Sequence, residues 1–113
     1  MPIDGVSVPM RDYFVYILSN PSHTLYIGVT NDLESRMDAH RRKLNVGFSR
    51  AYNVTMLVYV ETFSDPASAI AREKQLKNWS RAKKIALIER DNPQWRAISS
   101  GWLSGDPLID VRQ

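Results

Sequence analysis

Apolar and β-branched residues fall in two short blocks near the start of the chain, Tyr13 to Leu18 and Thr24 to Val29. Between them Ser19-Asn20-Pro21-Ser22-His23 is turn chemistry, and the whole predicts a β-hairpin. With Leu18 and Thr24 closing a five-residue loop, antiparallel pairing is expected to set Tyr16 opposite Tyr26, both phenols on one side of the sheet. Asn31 or Asp32 can cap a helix that follows at once. Its inward stripe is Leu33, Met37, His40 and Leu44, and Arg36, four residues before His40, is expected on the same face. After a polar stretch containing Gly47, Ser49 and Asn53, the run Val54 to Phe63 predicts a third strand.

Ser64 or Asp65, ahead of Pro66, announces a second helix with apolar positions Ala69, Ile70, Leu76 and Trp79. Glu73 falls on that stripe, where an unpaired carboxylate would be costly to bury. Ser80 opens a third helix whose inner face is Ala82, Ile85 and Ile88, ending near Asn92-Pro93. The order β-β-α-β-α-α places the chain in the α/β (α+β) class, as a small three-stranded, mainly antiparallel sheet flanked by helices. An N-terminal extension (1–10), one domain (11–96) and a C-terminal tail (97–113) are expected, with Trp102 and Leu103 able to dock the tail.

Composition narrows the function classes. The 113 residues include no cysteine, which excludes disulfides and cysteine-based zinc sites. No apolar run approaches the roughly 18 residues of a membrane span, so no membrane partner is expected. The start, MPIDGVSVPM, lacks the basic and apolar segments of a secretory signal, and a cytoplasmic location is expected. Charge is uneven. Residues 36–50 hold five basic side chains against Asp38 alone, and residues 72–84 hold six against Glu73 alone. The remainder has four basic and ten acidic residues, so two cationic segments stand on an acidic chain and point to an anionic partner.

Tyr16, Tyr26, Arg36, His40 and Glu73 are expected to converge on one region. Each has a structural reading: half-buried packing tyrosines, a core histidine, an Arg36–Glu73 ion pair. Together they suit phosphodiester hydrolysis. A fixed guanidinium stabilises the charge of a five-coordinate phosphate. One carboxylate can hold a hard divalent cation whose other ligands are waters and phosphate, making Glu73 the metal candidate for Mg²⁺ or Mn²⁺. A phenol or imidazole can take or orient the proton of the attacking water.

Taken with Val15-Tyr16-Ile17, Tyr26-Ile27-Gly28, Asn31-Asp32-Leu33, Arg36, His40 and the stretch from Ala71-Arg72-Glu73 to Trp79, the sequence resembles the GIY-YIG nuclease superfamily over about residues 11–96. It is most similar to small single-domain bacterial proteins of that group. The resemblance implies a three-stranded antiparallel sheet, one metal site at the glutamate, and catalytic roles for Tyr16, Tyr26, Arg36, His40 and Glu73. It also implies a functional asparagine after the glutamate, for which Asn92 and Asn78 compete, with Asn92 preferred. Two positions depart from the family pattern: Val15 replaces the first glycine, and Val29 stands where some members carry a lysine.

The expected activity is that of a metal-dependent DNA endonuclease, selective for substrate structure and serving DNA repair or recombination, with RNA left open as a substrate. Arg41, Arg42, Lys43, Arg50, Lys74, Lys77, Lys83 and Lys84 are the expected phosphate contacts. A protein partner for targeting, and either a monomer or a homodimer, fit a chain of this length. The alternatives are a non-catalytic nucleic-acid-binding module on the same fold and a small protein-interaction adaptor.

Overall fold

The computed structural model describes residues 12–42 and 53–98, the Arg41 side chain excepted. Lys43, Leu44, Gly47, Ser49, Arg50, the N-terminal extension, Trp102 and Leu103 lie outside the described residues. The elements are β1 (Tyr13–Ser19), β2 (Tyr26–Thr30), α1 (Leu33–Arg41), β3 (Met56–Phe63), α2 (Pro66–Asn78) and α3 (Arg81–Asp91). The sheet is antiparallel in the order β2-β1-β3. Its centre is β1, covered on both faces, which explains why Phe14 to Leu18 is apolar throughout rather than alternating.

One face of the sheet offers Val15, Ile17, Ile27 and Tyr59 to Ala69 and Leu76 of α2, Leu87 and Ile88 of α3, and Trp95. The other offers Tyr16, Leu18 and Leu57 to Leu33 and Met37 of α1. Helix starts follow the expected capping chemistry. Asp32 accepts from the Ser35 amide at 3.2 Å, Asp65 from Ser68 at 2.8 Å, and Ser80 from Lys83 at 3.2 Å.

The hairpin register differs from the expected one. Leu18 pairs with Tyr26 and Tyr16 with Gly28, leaving residues 19–25 as a wider connection. Asn20 is the cause. Its Oδ1 accepts from the amides of both Ser22 and Thr24 at 3.0 Å, while its carbonyl accepts from the His23 amide at 2.8 Å. Thr24 is thereby held out of the ladder. The displacement is by two positions, which preserves side-chain parity, so the two tyrosines stay on one face as diagonal neighbours.

Two helix stripes also shift. On α2, Ala69 and Leu76 are fully buried but Ile70 is 42% exposed, because the buried line runs through Ala69, Glu73 and Leu76 and Ile70 sits about 100° off it. On α3, Ile88 is buried as expected, but Ala82 is exposed and Ile85 only half-buried, and Leu87 is buried beside Ile88. A bulge between Ile17 and Leu18 leaves Val58 without a partner in the β1–β3 register. The Val58 carbonyl accepts instead from Asn92 Nδ2 at 3.1 Å, and the neighbouring Leu57 carbonyl accepts from the Ile98 amide at 2.8 Å. The segment after α3 thus covers part of the β3 edge, where unpaired strand groups would otherwise invite association.

Candidate active site

Tyr16 projects from the central strand over Gly28 of the edge strand. A Cβ at position 28 would lie 2.5 Å from Tyr16 Cζ and closer still to its Oη. The glycine opens the path for the phenol, a role that depends on which residue faces Tyr16 and is therefore hidden until the register is known. The Tyr16 hydroxyl is 3.2 Å from His40 Nε2, within hydrogen-bonding reach, and both residues are buried. Tyr26 completes an aromatic trio. Its ring centroid is 6.3 Å from that of Tyr16 and 5.2 Å from that of His40, edge-on to the imidazole.

Arg36 occupies the shoulder of the α1 stripe and is exposed, whereas His40 is buried, yet the guanidinium still bears on the buried Tyr16 phenol and on His40. The guanidinium opens onto a cavity of about 260 Å³ lined also by Tyr13, Val29, Thr30, Pro66 and Ile70. Val29, in the place of a lysine, gives that cavity an apolar wall beside the cation. On α2 the Glu73 side chain is 14% exposed and pairs with Lys77 at 2.6 Å, not with Arg36. This i,i+4 contact accounts for the carboxylate on the apolar stripe.

Electrostatics ties the group together. Burial pushes the Tyr16 phenol up to about 12; Tyr26 and Glu73 add to the rise, and Arg36 opposes it. His40 is held below its ordinary value of 6.5, first by burial and then by Arg36. At neutral pH the pair is a neutral phenol beside a neutral imidazole. The phenol can donate to Nε2 in the tautomer that carries its proton on Nδ1.

The other sequence-predicted residues lie elsewhere. Asn92 bonds to the Val58 carbonyl and, through both ends of its amide, to the backbone of Arg96 at 2.9 Å. Asn78 is exposed at the end of α2. Of the cationic set, Arg42 pairs with Asp38 at 3.3 Å, Lys77 with Glu73, and Lys83 stands 4.6 Å over the Trp79 ring, while Lys74 is exposed and Lys84 half-buried. Arg72, counted in the second basic segment, is bound to Glu61 through Nε at 3.0 Å and Nη2 at 2.9 Å, and stacks on Trp79.

Tyr59 also donates its hydroxyl to Glu61. Burial raises Glu61, but the hydrogen bonds from Arg72 and Tyr59 outweigh it and leave the carboxylate below its usual value. Burial and the Glu61 contact push Tyr59 up to about 12. Tyr16 and Tyr59 both favour the protonated form in the fold, so their contribution to stability is full below pH 10 and is lost between pH 10 and about 12. Urea unfolding is expected to show this loss, at about 1.4 kcal/mol for each tenfold difference in proton affinity between the folded and unfolded chain. Tyr59→Phe is expected to flatten part of it. An unfolding midpoint independent of pH over that range would contradict it.

The family model described as GIY-YIG catalytic domain matches residues 12–86. The chain belongs to the GIY-YIG family. That is a nuclease family, and the GIY-YIG domain implies a nucleic-acid substrate. Proteins named UPF0213 are among those similar to this chain. The one from Staphylococcus haemolyticus is 32% identical over 80 residues, covering 71% of this chain and 98% of its own. The one from Natronomonas pharaonis is 36% identical over 77 residues, covering 68% and 91%. The solution NMR structure of the UPF0213 protein from Bacillus halodurans superposes with a TM-score of 0.50 at 26% identity, covering 74% of this chain and 89% of that one. Among the described residues of the GIY-YIG domain no helix is long and apolar enough to cross a membrane.

Proposed function

We propose that the chain is a Mg²⁺- or Mn²⁺-dependent DNA endonuclease of the cytoplasm, selective for substrate structure, acting in repair or recombination through a nuclease domain over residues 11–96. The observation that carries this reading is the Tyr16 phenol. It contacts His40 Nε2 at 3.2 Å and lies within the electrostatic reach of Tyr26, Arg36 and Glu73. A packing tyrosine needs none of these neighbours.

Among the described residues no three acidic or histidine side chains cluster as a metal cage. A single carboxylate with waters suffices for Mg²⁺, and the half-buried Glu73 fits that role once Lys77 yields it. When bound there, the cation would neutralise phosphate charge. The chain's own groups do the rest. Arg36, at the rim of its cavity, pairs with the phosphate as negative charge grows on it. As the attacking water forms its bond to phosphorus, Tyr16 takes the water's proton and passes its own to His40 Nε2. The bond from phosphorus to the departing nucleoside oxygen breaks, and that oxygen is protonated from solvent. Tyr26 packs against both rings of the relay. Asn92 serves the site by bracing β3.

The test is cleavage of branched and single-stranded DNA with Mg²⁺, comparing the unaltered chain with Arg36→Ala and Glu73→Ala. Each variant is expected to lose about a hundredfold or more. Undiminished cleavage in both would overturn the mechanism. Binding without cleavage in the unaltered chain would favour the non-catalytic module.

A further inference from the structure

The widened turn between β1 and β2 builds a second cationic site on the α3 side of the sheet. Ser22, His23, Thr24 and Leu25 of the turn and Arg81 and Lys84 of α3 line a cavity of about 390 Å³. Arg81 donates from Nη2 to the His23 carbonyl at 2.8 Å, which fixes the guanidinium against the cavity wall. Among the described residues, Arg42, Arg72, Lys77 and Arg90 all have carboxylate partners, and neither Arg81 nor Lys84 has one.

A further observation points to an anion. The first turn of α3 carries no acidic residue, yet it holds Arg81, Lys83 and Lys84 at the positive end of the helix dipole, where cations are unfavourable. An anion in the cavity relieves that repulsion. His23 is held in the wall by its ring, which stacks at 3.7 Å and 4° on that of Trp95, a residue outside the cavity lining.

We propose that this cavity seats a backbone phosphate of the bound nucleic-acid strand, with Arg81 and Lys84 as its cationic ligands and the Ser22 and Thr24 hydroxyls as further donors. The inference rests on the reading of the chain as a nucleic-acid-cutting protein. Leu25 packs on the α2–α3 side of the sheet and Tyr26, the next residue, on the α1 side. A strand crossing that end of β2 therefore meets both the seat and the phenols. Such a seat would set where along the strand the cut falls.

The experiment measures binding of a single-stranded oligonucleotide against salt concentration, without divalent metal. The full chain is compared with Lys84→Ala, with Arg81→Ala/Lys84→Ala, and with Arg90→Ala as a control at the other end of α3. Both pocket variants are expected to bind more weakly, the double variant by about tenfold at low salt. Their salt dependence is expected to be shallower by about 0.7 in log–log slope, the increment for one single-strand phosphate. Arg90→Ala is expected to leave the slope unchanged. Lys84→Ala keeps the Arg81–His23 contact, so its result stands even where the double variant disturbs the turn.

An unchanged slope in Lys84→Ala and in the double variant would overturn the proposal. So would a pocket that answers inorganic phosphate alone, with amide shifts at residues 22–25 on phosphate titration but no change in oligonucleotide slope. Cleavage is read separately. A chain that binds with the expected slopes and cuts nothing refutes the nuclease reading and leaves the seat standing; one that cuts while the pocket variants keep their slope does the reverse.

Discussion

Tyr16→Phe is expected to lower cleavage by about a thousandfold while leaving the fold intact, because it deletes the proton-carrying hydroxyl and keeps the ring that fills the space over Gly28. His40→Ala is expected to cost about as much. The double variant should be little worse than either single one, since groups that pass one proton act as a unit. The pH profile supplies a second reading of the same relay. His40 must be neutral to accept, and burial with the Arg36 guanidinium holds it below its ordinary value of 6.5. Cleavage should therefore stay level as pH falls to 6.5 and decline only below it. Tyr16, near 12, stays protonated across the neutral range and adds no alkaline limb there. A His40→Ala variant with the original rate and profile would move the base to another group.

Gly28→Ala is expected to have the next largest effect. The new methyl would occupy space held by the Tyr16 ring, so the ring must leave its position over the edge strand. Overpacking of this kind costs about 1–3 kcal/mol. Displacing the phenol by about 1 Å is enough to lose roughly a hundredfold in rate. A double-mutant cycle separates this from a generic strand effect. In a Tyr16→Leu background the collision partner is gone, and the stability cost of Gly28→Ala should shrink to a few tenths of a kcal/mol. Equal cost in both backgrounds would show that position 28 resists alanine for another reason.

Much of this arrangement is legible one residue at a time. Runs of apolar and β-branched residues and stripes of period three to four place the elements, and Asp32 and Asp65, each one of two candidates, and Ser80 cap their helices. The hairpin register is not legible, because it depends on which amides the Asn20 side chain captures, and several turn geometries use the same residue types. The shared face of Tyr16 and Tyr26 survives the difference because a shift of two positions keeps parity; a shift of one would have separated them.

Charge is the least transferable signal. Counting cations marks residues 72–84 as one basic segment, yet Arg72 is bound to Glu61, Lys77 to Glu73, and Lys83 to the Trp79 face. Arg81, which no motif singles out, is the one braced beside a cavity. The sequence contains the number of charges but not their partners. Partners come from elements distant in the chain, as with Arg81 and His23 or Asn92 and Val58.

The sequence by itself determined the kinds of element, their order and the set of reactive side chains, because periodicity and capping are local and a shared face depends only on parity. Only the tertiary structure decided that Tyr16 lies over a glycine, that His40 is buried while Arg36 meets solvent, and that Glu73 is held by Lys77. Those outcomes depend on register and on the distance between packed elements. A glycine becomes a passage, and a phenol a candidate proton carrier, only when the residue across the ladder is known.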